Sequence, residues 1–441
     1  MTRIAFVGAG SVEFTKNLLG DILDFPELRE VELALHDIDA GRLETAEAMA
    51  RWVARERGAG PAITSHLDRR AAVEGSDFVL NMVQIGGHEA TLRDFEIPAR
   101  YGLRQTIADT LGIGGIFRTL RTADHMLALG RDIAELCPPS AWLLNYTNPM
   151  AMLCWLVYAG TPTQNVVGLC HSVQFTTHDL CELIGVPADE VTVLSAGVNH
   201  QAFLLRFERD GEDLYPLLDA RIAGDPDLQR RVRMALYRRF GYFQTESSEH
   251  AAEYVPWFMG HDEEIDRYRI PVDEYIRRSE RNLVRYEEVR AALHAGEAME
   301  LPRSNEYASL IVHAMVTGEA QVIYGNVRND GLIPQLPDAA CVEVPCVVDR
   351  TGLRPTPVPD YPAELAALNR TFLNPVELTV RAVLEERPEL VRLAAMLDPS
   401  AAATLTLDEI DALCDELTRA HGELIPAALR AAPAWERIEV G

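Results

Sequence analysis

The opening of the chain constrains the fold more than any other feature. Residues 4–7 form a short apolar run, and Gly8-Ala9-Gly10-Ser11-Val12-Glu13 follows directly. Phe14, Leu18, Leu19 and Ile22 then recur at helical spacing. A strand, a glycine turn and a helix make half of a βαβ unit. The pattern repeats. Residues 31–35 read as a second strand ending at His36-Asp37, and residues 42–55 as a helix with Asp39 as its N-cap. Residues 78–83, 142–145, 166–169 and 191–196 read as further strands, with a long helix over 116–136 and other helical segments between them. Strands alternating with helices predict an α/β fold built on a Rossmann-like, doubly wound parallel sheet.

The first turn carries chemistry. Gly8 permits a tight turn, and Gly10 lets the backbone approach a pyrophosphate resting on the following helix N-terminus at Ser11 and Val12. Glu13 stands where a third glycine is usual, so the fingerprint is incomplete. Asp37, at the end of the second strand, suits ribose hydroxyls and disfavours a 2′-phosphate, which predicts NAD over NADP. An ordinary βα turn with a capping carboxylate would carry the same residues.

Beyond about Gly197 the alternation fades. Residues 226–294 read as mostly charged helix, 321–348 as extended and turn-rich, and 360–432 as helix again. The expected division is an NAD-binding domain over 1–198 and a mixed α+β domain over 199–441, with a soft boundary near 195–205. The net charge of −26 argues against nucleic acid, which needs a basic surface. No apolar run is long enough to span a bilayer, and the chain enters a strand without a secretory leader pattern. Its seven cysteines form no CxxC pair, as fits a reducing compartment. A cytoplasmic location is expected.

Several strand ends carry reactive side chains. Cys170-His171 follows 166–169, and Asn199-His200 follows 191–196, where open α/β sheets place ligands. A thiolate with an imidazole can hold a borderline transition metal, although a lone Cys or His is more often structural. Asn145-Tyr146-Thr147-Asn148-Pro149 offers amides to sugar hydroxyls, or merely starts a turn. Asp109 precedes the loop Thr110-Leu111-Gly112-Ile113-Gly114-Gly115, whose glycines could let backbone approach a ligand. It has no Walker lysine, so phosphate binding there is not expected. The stretch from Phe240 to His250, beside Glu253-Tyr254, is dense in Tyr, Glu and His and suits a site wall.

Taken together, these segments resemble glycoside hydrolase family 4, and within it the branch acting on α-galactosides. The matching text is GAGSVEFTKNLLGDIL, LHDID, ADTLGIGGIFRTLRT, NYTNPM, GLCHSVQ, AGVNH, FGYFQTESSEHAAEY and NDGLIPQLP, running from residue 3 to about 337. The resemblance makes the short GxGS turn an expected feature. It implies NAD and a divalent metal, usually Mn2+, with a mechanism outside the two-carboxylate rule. NAD takes a hydride from C3, a base removes the acidified C2 proton, the leaving group departs, water adds at C1, and the hydride returns. By position, Cys170 and His200 resemble the metal ligands, Asn148 and Asp109 substrate-binding residues, and His171 the proton donor. Tyr242 resembles the base, with Glu249 as the alternative where other members carry an aspartate. The implied substrate is a small α-hexoside, and the implied assembly a homodimer or homotetramer. An α-galacturonidase, α-glucuronidase or α-glucosidase would share the pattern, and Arg104, Arg118 or Arg121 facing the pocket would favour a uronate. A lactate- or malate-type dehydrogenase would share only the N-terminal half.

Overall fold

The computed structural model describes residues 1–304 and 306–431. The last residues of the expected second domain, and the end of its helical stretch at 432, lie outside the described residues. Six strands, Arg3–Val7, Glu32–His36, Ala62–His66, Phe78–Asn81, Trp142–Asn145 and Val166–Gly168, run parallel. Their spatial order is third, second, first, fourth, fifth, sixth. That is the doubly wound dinucleotide order, with its crevice where the winding reverses, between Arg3–Val7 and Phe78–Asn81. The expected strands are present. Ala62–His66 was not anticipated, because this edge strand is only half-buried and lacks an apolar run.

The sheet continues past Val166–Gly168. Gln321–Arg328, Cys341–Asp349, Val191–Val198, Gln201–Arg209 and Phe243–Gln244 extend it as antiparallel neighbours. Here one expectation needs correction. Residues 191–196 were read as a parallel strand, but Val191–Val198 is antiparallel to both Gln201–Arg209 and Cys341–Asp349. Only Asn199 and His200 separate it from the next strand, too few residues for a parallel crossover and enough for a hairpin. The register runs from Gly168 to Asn326, Glu343 and Gly197. It sets the hairpin turn level with the carboxyl end of Val166–Gly168. His200 therefore reaches the cleft from a turn descending on it.

Helices cover both faces. Val12–Asp24 buries Leu18, Leu19 and Ile22 at the spacing the sequence shows. Ala40–Glu56 is capped by Asp39, whose side chain accepts from the Arg42 amide. Met150–Gly160 is apolar on every side and is covered by Gly112–Leu136 and Ala363–Leu384. The charged region over 226–294 is broken into several helices, of which Glu274–Ala295 has Val289 as its buried residue. No described helix is long and apolar enough to cross a membrane.

Candidate functional site

At the crevice, Gly8 adopts φ +89°, a backbone region that only glycine enters freely, and the Gly8 and Ala9 amides donate to the His36 carbonyl. The Gly10 amide donates to Asp37 Oδ2 at 2.9 Å, so Asp37 ties the turn to the second strand. A Cβ on Gly10 would lie 2.4 Å from that same oxygen. Ser11 is exposed and its hydroxyl caps nothing, which leaves the helix amides free for an anion. These features fit a dinucleotide.

Across the cleft, Cys170, His200 and Glu246 bring ligand atoms within 4.8 Å of one another. The convergence expected of Cys170 and His200 is present, and Glu246 joins them as a third donor. His200 Nδ1 pairs with Thr110 Oγ1 at 2.8 Å, and Nε2 is the ring nitrogen left for an ion. Burial pushes His200 down to about 4, which keeps it neutral, as a metal ligand must be. The Cys170 thiol is pushed up by burial and by Glu246 and Glu343, so its deprotonation requires a cation. A thiolate, a neutral imidazole and a carboxylate suit a divalent transition metal.

Asp109 and His250 lie beside this trio, and the two with His200 form a second group of the same compactness. Burial works against the charge on Asp109, but His250 and Arg118 outweigh it and hold the carboxyl well below its usual range. Burial likewise opposes the charge on His250, yet Glu246 and Asp109 lift it to about 9. His250 is thus the internal cation between two carboxylates, at 3.5 Å from each. Asn148 Nδ2 donates to Asp109 Oδ2 at 3.0 Å, so the two expected substrate residues are in contact. Asn148 Oδ1 has no hydrogen-bond partner among the described residues. Asn145, by contrast, is fully buried and bonded within the strand ends to Asn81 and Thr147, so it offers nothing to a sugar.

The glycine loop also departs from expectation. A Cβ on Gly114 would sit 2.6 Å from Ala108 Cβ, and one on Gly115 2.8 Å from the Thr110 carbonyl carbon. These glycines let the loop fold onto its own helix rather than let a ligand approach. Glu253 completes the clamp by accepting from the Thr106, Ile107 and Ala108 amides, which fixes Asp109.

His171 is half-exposed, and its Nδ1 lies 3.0 Å from Glu306 Oε1. Burial alone would lower His171, but Glu306 raises it on balance, favouring a protonated ring. Tyr242 is partly buried beside Tyr215, and the hydrogen bonds and ion pairs joining the cluster do not include it. Glu249 lies within electrostatic reach of Arg233, as does Glu246, and Glu246 is the carboxylate that reaches Cys170. Of the three arginines flagged by sequence, Arg104 pairs with Asp262 and Arg121 with Asp94. Arg118 alone borders the cleft, bonded to the Asn148 carbonyl and the Tyr275 hydroxyl.

Comparison with known proteins agrees with this geometry. Residues 3–186 match the model of the family 4 glycosyl hydrolases, and residues 195–401 match that of their C-terminal domain. The chain belongs to glycosyl hydrolase family 4. It is 44% identical to an α-galactosidase of Bacillus subtilis (strain 168), over 97% of this chain and 99% of that protein. An α-galactosidase of Rhizobium meliloti (strain 1021) is 34% identical over 96% of this chain and 89% of its own length. A 6-phospho-α-glucosidase from gut microorganisms, solved in complex with NAD and Mn2+, superposes with a TM-score of 0.81 at 20% identity. The match covers 96% of this chain and 99% of that one. Membership in family 4 removes the lactate- or malate-type dehydrogenase as a rival.

Glu246, His250, Thr110, Glu253, Glu306 and Glu343 are site residues of this family 4 chain that its sequence does not distinguish individually. Glu246, His250 and Glu253 lie in or beside the polar stretch marked as a site wall, so the segment was visible but its inward-facing members were not. Glu306 and Glu343 carry no local signal. One follows an irregular stretch, and the other sits in an otherwise apolar strand.

Proposed function

We propose that this chain is an NAD- and divalent-metal-dependent α-galactosidase acting on small neutral α-galactosides such as melibiose. The observation that carries the reading is the convergence of Cys170, His200 and Glu246 beyond the carboxyl end of Val166–Gly168, in the same sheet whose strand Arg3–Val7 leads into the Gly8–Ser11 turn. When bound, NAD would store the C3 hydride, and the metal would stabilise the negative charge left when the C2 proton departs. The chain's own residues do the rest. Asn148 and Asp109 orient the sugar hydroxyls, and the clamp on the 106–108 amides holds Asp109 still. His171, kept protonated by Glu306, supplies the proton to the leaving oxygen. Tyr242 is proposed as the base at C2. Gly8, Gly10, Ser11, Val12 and Asp37 hold the dinucleotide.

The charge arrangement favours a neutral sugar. Arg104 and Arg121 are already paired with carboxylates, and Arg118 is engaged by two internal acceptors with Asp109 beside it. A uronate carboxylate or a 6-phosphate would meet Asp109 and Glu246 before it met an unpaired guanidinium.

The proposal includes a division of labour near residue 198, a reducing cytoplasmic setting in keeping with seven free cysteines, and a homodimer or homotetramer. Exposed Leu393, Leu397 and Leu407 on the C-terminal helices offer apolar area for that assembly. The test is one anaerobic assay with melibiose, NAD and Mn2+, each omitted in turn, run in parallel on nitrophenyl α-galactoside and α-galacturonide. Turnover of the galactosides only with both cofactors is expected. Turnover without either one, or preference for the galacturonide, overturns the reading.

A further inference from the structure

Below the candidate metal ligands lies a buried polar network that the proposed chemistry does not use. Glu343, Asn199 and Asn326 are all completely buried. Glu343 Oε1 accepts from Asn199 Nδ2 and from Asn326 Nδ2, each at 3.3 Å. Asn326 Nδ2 also donates to the Gly168 carbonyl at 3.2 Å. Three strands and one hairpin turn are thereby linked, with Glu343 Oε1 joining Asn199 to Asn326 and Asn326 reaching on to Gly168. Glu343 Oε2, Asn199 Oδ1 and Asn326 Oδ1 have no hydrogen-bond partner among the described residues.

Such a network is expensive. An unpaired buried polar atom is destabilising, and an apolar residue in an apolar strand would avoid that loss. Glu343 lies in Cys341–Asp349, whose other buried residues are Val, Cys and Pro345. What the carboxyl does is mechanical. Gly168 is two residues before Cys170, and Asn199 is immediately before His200. The register lines up Gly168, Asn326, Glu343 and Gly197 across four strands. One side chain thus ties the end of the strand bearing Cys170 to the turn bearing His200.

We propose that Glu343 is a positioning residue of the metal centre, setting the separation of Cys170 and His200 through Asn199 and Asn326. It accepts both amides and touches neither the ion nor the sugar. The inference rests on the metal site proposed above and assigns that site its support.

The experiment uses Co2+ alone as the probe, because a cobalt–thiolate bond gives a near-ultraviolet charge-transfer band that reports on Cys170 without turnover. Wild type, Glu343→Gln, Glu343→Met and Asn199→Ala are titrated anaerobically, with unfolding midpoints and NAD affinity measured alongside. Glu343→Gln keeps an accepting oxygen and should bind Co2+ within about threefold of wild type. Glu343→Met removes the acceptor and should lose about 10–100-fold in Co2+ affinity, the range seen when the support of a metal ligand is removed, with NAD affinity unchanged. If Glu343→Met does not fold, Asn199→Ala deletes the same bond from the other side and should show the same loss. Wild-type Co2+ affinity in Glu343→Met or Asn199→Ala overturns the proposal. So does an equal loss in Glu343→Gln, which would make charge rather than hydrogen bonding the cause. A missing band in wild type removes the metal site itself, and with it this inference.

Discussion

Gly10→Ala tests the dinucleotide turn on its own. The added methyl would sit 2.4 Å from Asp37 Oδ2 and 2.7 Å from Arg42 Cβ. Ordinary carbon–oxygen contact is about 3.4 Å or more, so the turn or the carboxylate must move by roughly 1 Å. The carboxylate is the softer of the two, and moving it breaks the 2.9 Å bond from the Gly10 amide. A hydrogen bond to a charged group contributes about 1.5–3 kcal/mol. Overpacking at a close contact costs a similar amount, about 1–3 kcal/mol. The two are not additive, because releasing Asp37 relieves the clash. NAD, which needs both the close backbone approach and Asp37 in place, should therefore bind roughly 10- to 100-fold more weakly, at about 1.4 kcal/mol per factor of ten. Isothermal titration with NAD gives the loss, and Mn2+ titration of the same protein is the control, with no change expected. NAD affinity within twofold of wild type would refute the assignment of this turn. An equal loss of Mn2+ affinity would show that the change spread beyond it.

Other outcomes follow from the site. Cys170→Ser should abolish turnover while NAD affinity stays within about twofold of wild type, because the thiolate serves the metal and not the nucleotide; parallel loss in an NAD titration would count against that role. Glu306→Gln should slow melibiose far more than nitrophenyl α-galactoside, whose leaving group needs little help from a proton. Glu306 raises His171, and an acid is lost as pH rises through its pKa. The alkaline limb of the melibiose pH–rate profile should therefore move to lower pH in this variant, and an unmoved limb would remove His171 as the donor. Melibiose deuterated at C2 of the galactosyl ring should yield galactose that has lost deuterium to ordinary water. Full retention by mass spectrometry would rule out deprotonation at C2.

Much of the fold was legible because it is local. The period of apolar residues, the Gly8–Gly10 turn and the Asp39 cap each act over a few residues, and the parallel order follows from their repetition. The strand at 191–198 failed for the same reason. Its apolar pattern resembles that of a buried parallel strand, and only the two-residue turn at Asn199-His200 reveals a hairpin. Cys170 and His200 were readable as strand-end residues. Glu246 was hidden among Glu246, Glu249 and Glu253, which sequence cannot rank. The structure separates them by backbone geometry. Glu246 has φ +69° at the entrance to the helix Ser248–Glu253, which directs it toward Cys170, while Glu253 points back to the 106–108 amides.

The electrostatics of the cleft also favour one of the two compact groups over the other as the proposed metal site. Both contain His200. A cation at Asp109 and His250 would require His250 to lose its proton, yet Glu246 and Asp109 together lift His250 to about 9. Displacing that proton at neutral pH would cost about 1.4 kcal/mol for each unit of the gap. It would also strip Asp109 of its main counter-charge. At Cys170, His200 and Glu246 the position is reversed. His200 is already neutral, Glu246 is held ionised against the effect of burial by His250, His171 and Arg233, and Cys170 is the one group whose proton must leave. A divalent ion placed there supplies the positive charge that the thiolate lacks and leaves the His250–Asp109 pair intact to face the sugar. Binding should therefore release about one proton per ion, from Cys170. Mn2+ titrations in buffers of different ionisation enthalpy measure that number. Release of two protons would place the ion against His250 and undo the assignment of Asp109 to substrate.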